Sequence, residues 1–166
     1  MAPPDHLIID VVDLRRRTGS RRTVESRLVV DDLEVGERSI VDRAVQADLV
    51  VEAVTEGVLV SGRVTALSRT PCRRCLRDVD LLLDFEIREL FEPTPTEGET
   101  WPIDDERIDL TPVLREVVLL NLPVVPLCAE DCAGPEPGRF PTGLASDAEP
   151  RRDERWAALD ELRFEE

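Results

Sequence analysis

The chain has 166 residues, 42% of them apolar, which is enough for one folded domain with a sizeable core and no disulfide staples. Only 4% are aromatic and Tyr is absent, so that core must be built from Leu, Val and Ile. The 36 acidic residues outnumber 21 basic ones, all Arg, and the net charge of -15 opposes whole-surface contact with a phosphate backbone while leaving room for a basic protein partner or a local basic patch.

The opening Met1–Asp10 stretch lacks a basic segment followed by an apolar run of signal-peptide length, and no run approaches the roughly 18 apolar residues of a membrane helix. The expectation is a cytoplasmic protein that does not engage a membrane, in a compartment where thiols stay reduced.

Residues 7–12 read as a short strand. Leu14–Arg22 then holds Arg15, Arg16, Arg17, Arg21 and Arg22 around a Gly19-Ser20 turn, five Arg in eight positions. Residues 1–47 carry 8 Arg against 9 acids, a net of -1, so the other 119 residues carry -14. The Arg cluster has two readings: an RNA or acidic-partner contact, since guanidinium forks suit phosphate, or a loop neutralised within the molecule.

Asp48–Thr55 is rich in β-branched residues, Glu56-Gly57 signals a turn, and Val58–Leu67 resumes the β pattern, so the pair reads as a hairpin. From Val79 to Phe91, Leu81, Leu83, Phe85 and Ile87 alternate with Leu82, Asp84, Glu86 and Arg88, a strand with one buried face. Residues 92–109 are broken by Pro and Gly and are strongly acidic, which reads as an irregular loop. Thr111 suits an N-cap and Pro112 a first helical position, opening a helix to Leu122 that is apolar over most of its surface and ends at Pro123 and Pro126. Residues 1–132 form the expected domain. Residues 133–166 form a loose tail, with a short helix near 154–163 striped by Trp156, Leu159 and Leu162.

Two cysteine pairs carry the clearest chemistry. Cys72-Arg73-Arg74-Cys75 lies between two strands, and Cys128-Ala129-Glu130-Asp131-Cys132 follows the helix, with 52 residues between the pairs. If the helix packs back across the sheet, Cys72, Cys75, Cys128 and Cys132 can close on one metal in the tetrahedral geometry of a structural zinc site. Arg73, Arg74 and Arg77 adjoin the first pair and could offset a zinc–tetrathiolate charge. A redox pair lacks the βαβ context it needs, and unligated, partly buried thiols are the third reading. Catalysis finds no support: His6 is the sole histidine and sits near the terminus, and no GxGxxG, P-loop or HExxH motif occurs.

These pieces together resemble a known family. Cys72–Leu76, the strand ending Glu89–Phe91, the acidic loop, and Asp109–Cys128 with its Leu122-Pro123 and Pro126 helix exit look like the YceD family of large ribosomal RNA subunit accumulation proteins. Leu14–Arg22, Glu56–Gly62 and Arg155–Leu159 are similar to its high-GC Gram-positive members. The resemblance implies a non-enzymatic role in synthesis, processing or stability of large-subunit (23S) ribosomal RNA, with a ribosomal protein or pre-ribosomal particle as partner, local rRNA contact at the Arg cluster, and no small-molecule substrate. The alternative is a zinc-binding or redox-sensitive regulatory module unrelated to ribosomes. Many family members carry two further cysteines after the second pair; here Glu136 and Arg139 stand at those places. The expected fold is α+β: an antiparallel sheet or partial barrel with one buried helix near 111–122.

Overall fold

The structure, a computed structural model, describes residues 6–139. The tail helix expected near 154–163 lies outside the described residues.

Three long strands dominate: β4 (Arg38–Ala53), β5 (Val58–Pro71) and β6 (Asp78–Glu92). They form consecutive antiparallel hairpins, and β2 (Arg21–Val29) adds to the outer side of β4. β7 (Trp101–Pro102) joins the end of β6 in parallel, and β3 (Glu34–Val35) pairs with the start of β4. The sheet runs β2-β4-β5-β6-β7 and is not closed, so the expected partial barrel is not seen among the described residues; the α+β class is. A second, two-stranded sheet joins β1 (Ile8–Asp10) to β8 (Arg107–Asp109).

The period-two pattern of β6 places Leu83, Ile87 and Phe91 inward, as the alternation requires. They meet Val45, Leu49 and Val51 of β4, Val58, Val60 and Val64 of β5, and Val113, Leu114 and Val118 of helix α2 (Thr111–Leu120) in one apolar cluster. The opposite face of the sheet carries ion pairs between Arg69 and Asp80 at 2.7 Å and between Arg63 and Asp84 at 3.4 Å. The Arg69 guanidinium, bonded to both Asp80 oxygens, holds that carboxyl below its usual range. A depressed acid stabilises the fold above its unfolded pKa and loses that contribution as pH falls through the folded value. Asp80→Asn is therefore expected to lower the urea midpoint at pH 7, and the difference from the parent should vanish in strong acid.

Gly62 sets how closely β4 and β5 can approach. Its φ is +149°, and a Cβ there would lie 2.2 Å from the Asp48 carbonyl oxygen. Only a residue without a side chain fits that combination.

Several sequence expectations are corrected. The strand expected over residues 7–12 ends at Asp10, and Val12–Arg15 form a short helix, α1. Residues 92–109 are not an irregular loop throughout, since β7 and β8 lie within them. β4 begins at Arg38 instead of Asp48; it passes through a register shift between Ile40 and Val45, where Asp42 and Arg43 take left-handed φ of 54° and 53°. Thr111 is not the N-cap. Leu110 holds that position, and the Thr111 hydroxyl instead accepts the Leu7 N–H at 3.0 Å, pinning the N-terminal segment to the helix. α2 stops at Leu120 and buries one face, leaving Leu120 76% exposed.

Candidate metal centre

Two turns bring the cysteines together. Residues 72–77 form the loop between β5 and β6, closed by Pro71 opposite Asp78 at its base. Cys72 N–H donates to the Arg77 carbonyl at 2.8 Å, and Leu76 N–H to the Cys72 carbonyl at 2.9 Å, with Leu76 in the left-handed region at φ 61°. This tight path points both sulfurs of the first pair to one side. The second pair arrives from α2. Beyond its Asn121 C-cap, the chain passes Leu122, which is buried, to Pro126, whose carbonyl accepts the Arg73 N–H at 2.9 Å. That bond lays the second turn against the first, and Cys132 N–H donates to the Ala129 carbonyl at 3.1 Å to close it.

The four sulfurs lie within 4.8 Å of one another. Cys72 Sγ is 3.8 Å from Cys132 Sγ, and Cys75 Sγ is 3.7 Å from Cys128 Sγ. All four thiols are free. Bonds of about 2.3 Å to a tetrahedral metal place sulfurs about 3.8 Å apart, so the donor set fits a four-thiolate centre in number, element and spacing. Cys72, Cys75 and Cys132 are buried in a small cluster of their own with Val79 and Leu127, while Cys128 is exposed.

The electrostatics of the cluster are uneven. The Cys72 thiol is pulled down to about 6, first by the backbone N–H of Cys75 and then by those of Arg74 and Cys128; burial opposes them. Its sulfur accepts the Cys128 N–H at 3.4 Å. Cys75 is lowered, first by the Arg77 guanidinium. Cys128 is pushed up to about 12, first by the adjoining Cys132 thiol and then by Cys75 and burial. The physical content is that sulfurs crowded together resist ionising together unless a cation joins them. A divalent metal would reverse that repulsion by its own charge.

Where the family pattern has later cysteines, Glu136 and Arg139 face each other as an ion pair at 3.7 Å. Four sulfurs are already gathered without them.

Three of the five arginines of the Arg15–Arg22 cluster are ion-paired within the molecule. Arg15 is bonded to both carboxylate oxygens of Glu106, at 2.8 and 2.7 Å. Arg16 pairs with Asp13 at 2.9 Å and Arg21 with Glu52 at 3.1 Å. The turn itself is tied to β4 by Gly19 N–H to the Ala53 carbonyl and Ala53 N–H to the Ser20 carbonyl. Among the described residues, Arg17 and Arg22 have no ion pair, and both are exposed. What sequence reasoning missed here is the acidic partners: Glu52 and Glu106 are distant in sequence, and only sheet register and the β1–β8 pairing bring them near.

A family model described as "Large ribosomal RNA subunit accumulation protein YceD" matches residues 60–163, a span that holds all four cysteines. The chain belongs to the YceD family. Curated relatives match 70% to 94% of the chain. The uncharacterized protein Rv2926c of Mycobacterium tuberculosis is 34% identical over 174 aligned positions, 94% of this chain and 81% of that one. The uncharacterized protein ML1660 of Mycobacterium leprae is 30% identical, over 77% of this chain and 63% of its own. The uncharacterized protein YlbN of Bacillus subtilis is 29% identical over 70% of each. No solved structure matches the chain. Among the described residues, no helix of this YceD protein is long and apolar enough to cross a membrane.

Proposed function

We propose that this YceD protein is a cytoplasmic ribosome biogenesis factor that acts by binding, not catalysis, and supports the synthesis, processing or stability of 23S ribosomal RNA. The observation that carries this reading is membership of a family described by large ribosomal RNA subunit accumulation. The charge supports the class of partner: a chain at -15 attracts a basic ribosomal protein or a pre-ribosomal particle rich in such proteins. A local rRNA contact rests on Arg17 and Arg22, the two members of the Arg cluster without an ion pair among the described residues.

In this reading Cys72, Cys75, Cys128 and Cys132 hold one structural zinc. Four protein ligands leave no open position at which a metal could activate water, so the centre fastens the β5–β6 turn to the exit of α2 and does no chemistry. The surfaces around it then meet the partner as one rigid body. Depletion is expected to lower 23S relative to 16S ribosomal RNA, and an unchanged ratio would sink the proposal. Affinity capture from native lysate, with and without ribonuclease, separates a protein partner, which survives digestion, from an RNA-bridged one.

A second reading is a zinc-binding or redox-sensitive regulatory module unrelated to ribosomes. The low-lying Cys72 thiol and the exposed Cys128 favour it. It requires partner exchange on oxidation together with normal ribosomal RNA levels.

A further inference from the structure

The two cysteine turns are held together by arginines as well as by their own sulfurs. Arg77 Nε donates to Cys75 Sγ at 3.4 Å, and Arg77 Nη2 to Cys128 Sγ at 3.7 Å. One guanidinium thus spans one sulfur of each pair. Arg74 Nη1 donates to the carbonyls of Glu130 and Cys132 at 3.1 and 3.0 Å, so a side chain of the first turn clasps the backbone of the second. Arg73, next to Arg74 in sequence, makes no such contact: its backbone N–H donates to the Pro126 carbonyl, and its side chain is exposed.

We propose that Arg77 and Arg74 are positioning residues of the cysteine centre, Arg77 by neutralising the Cys75 and Cys128 thiolates and Arg74 by fixing the Cys128–Cys132 turn against the Cys72–Cys75 turn. The proposal rests on the metal reading above. Four thiolates around a divalent cation carry a net charge of 2-, which is costly beside a protein surface already at -15. A guanidinium supplies a permanent positive charge and N–H donors in a fixed fork, so it can bond two sulfurs at once without competing for the metal. Cys128 gains most from this: it is the exposed member of the set, and Arg77 Nη2 reaches its sulfur at 3.7 Å. Arg74 acts differently. Its contacts are to carbonyls, and they hold the second turn in place before a metal arrives, which reduces the ordering that binding must impose.

Partners of this kind, behind the ligands themselves, alter metal affinity by about 10- to 100-fold when removed. The test is a chelator competition for zinc on the reduced full chain, paired with the thiolate-to-metal charge-transfer bands of the cobalt-substituted protein. Arg77→Gln is expected to weaken zinc by a factor in that range and to shift the cobalt bands, because sulfurs relieved of a cation donate more strongly. Arg77→Lys keeps the charge and is expected to recover part of the affinity. Arg74→Gln is expected to weaken zinc with the bands unmoved, since it touches no sulfur. Arg73→Gln removes the same charge from the same turn and is expected to change neither. The assignment is overturned if Arg77→Gln binds zinc like the parent, or if Arg73→Gln weakens it equally, which would mean a general loss of positive charge. A parent chain that binds no zinc would refute the metal reading itself, a separate outcome. Arg77 and Arg74 are exposed, and circular dichroism of each variant shows whether the sheet is retained.

Discussion

Zinc added to the reduced, metal-free protein at about a thousandfold over its dissociation constant is expected to raise folding stability by about 4 kcal/mol. For a chain of this size each kcal/mol moves the melting temperature by about 2–4 °C, so the melt should rise by about 8–16 °C. The argument is structural. The centre joins the β5–β6 turn to the segment leaving α2, two parts of the chain separated by 52 residues. An ion bound there exists only in the folded state, and its binding energy is folding energy. Cys72→Ser, at the fully buried ligand, should abolish the zinc-dependent rise while leaving a folded, less stable domain, because the main apolar cluster is separate from the cysteine cluster. Acid should erase the effect in the parent as protons compete for the thiolates. A melt that does not respond to zinc in the parent would remove the site.

Phe91→Ala is the second large effect, expected to cost about 3–5 kcal/mol. Phe91 is 1% exposed and sits at the junction of three strands: it pairs with Val58 of β5 and with Trp101 of β7. Its ring lies 6.4 Å from that of Trp101, and its carbonyl would meet a Cβ on Gly57 at 1.9 Å. Phe91 is the one buried aromatic of the cluster among the described residues, and its close-packed neighbours cannot collapse far enough to fill the space its loss would leave. Urea unfolding should show a lower midpoint with an unchanged slope. Leu120→Ala, on the exposed side of α2, should stay within about 0.5 kcal/mol. A loss at Phe91 no greater than that at Leu120 would contradict the packing described.

Much of the site could be read before the fold was seen, because its information is local. C-x2-C and C-x3-C pairs are local spacings that suit the ligands of one metal. Arg77, by contrast, was one of three neighbouring arginines with equal claims. Which of them reaches sulfur depends on the hairpin geometry of residues 72–77 and on where Cys128 arrives. The Arg15–Arg22 cluster shows the opposite limit. Its density left two readings open, an RNA contact and neutralisation within the molecule; Glu52 and Glu106 take up Arg21 and Arg15, and nothing near residues 15–22 in sequence announces those two partners.

The sequence by itself determined the long strands β5 and β6, the helix after Thr111-Pro112, the acidic character and the family, since alternation, a proline in the first helical turn and motif are all written in short stretches of chain. The tertiary structure alone decided the rest. β2 is a polar edge strand whose pattern is weak, and β4 pairs with it to make it a strand. β8 forms because Ile8–Asp10 lies beside it. The Thr111 hydroxyl accepts the N–H of Leu7, 104 residues away, instead of capping its own helix. The four sulfurs meet because α2 buries Val113, Leu114 and Val118 in the core shared with the sheet and so delivers Cys128 and Cys132 to the β5–β6 turn. Each of these is a contact between residues far apart in the chain, where burial and pairing outweigh local preference.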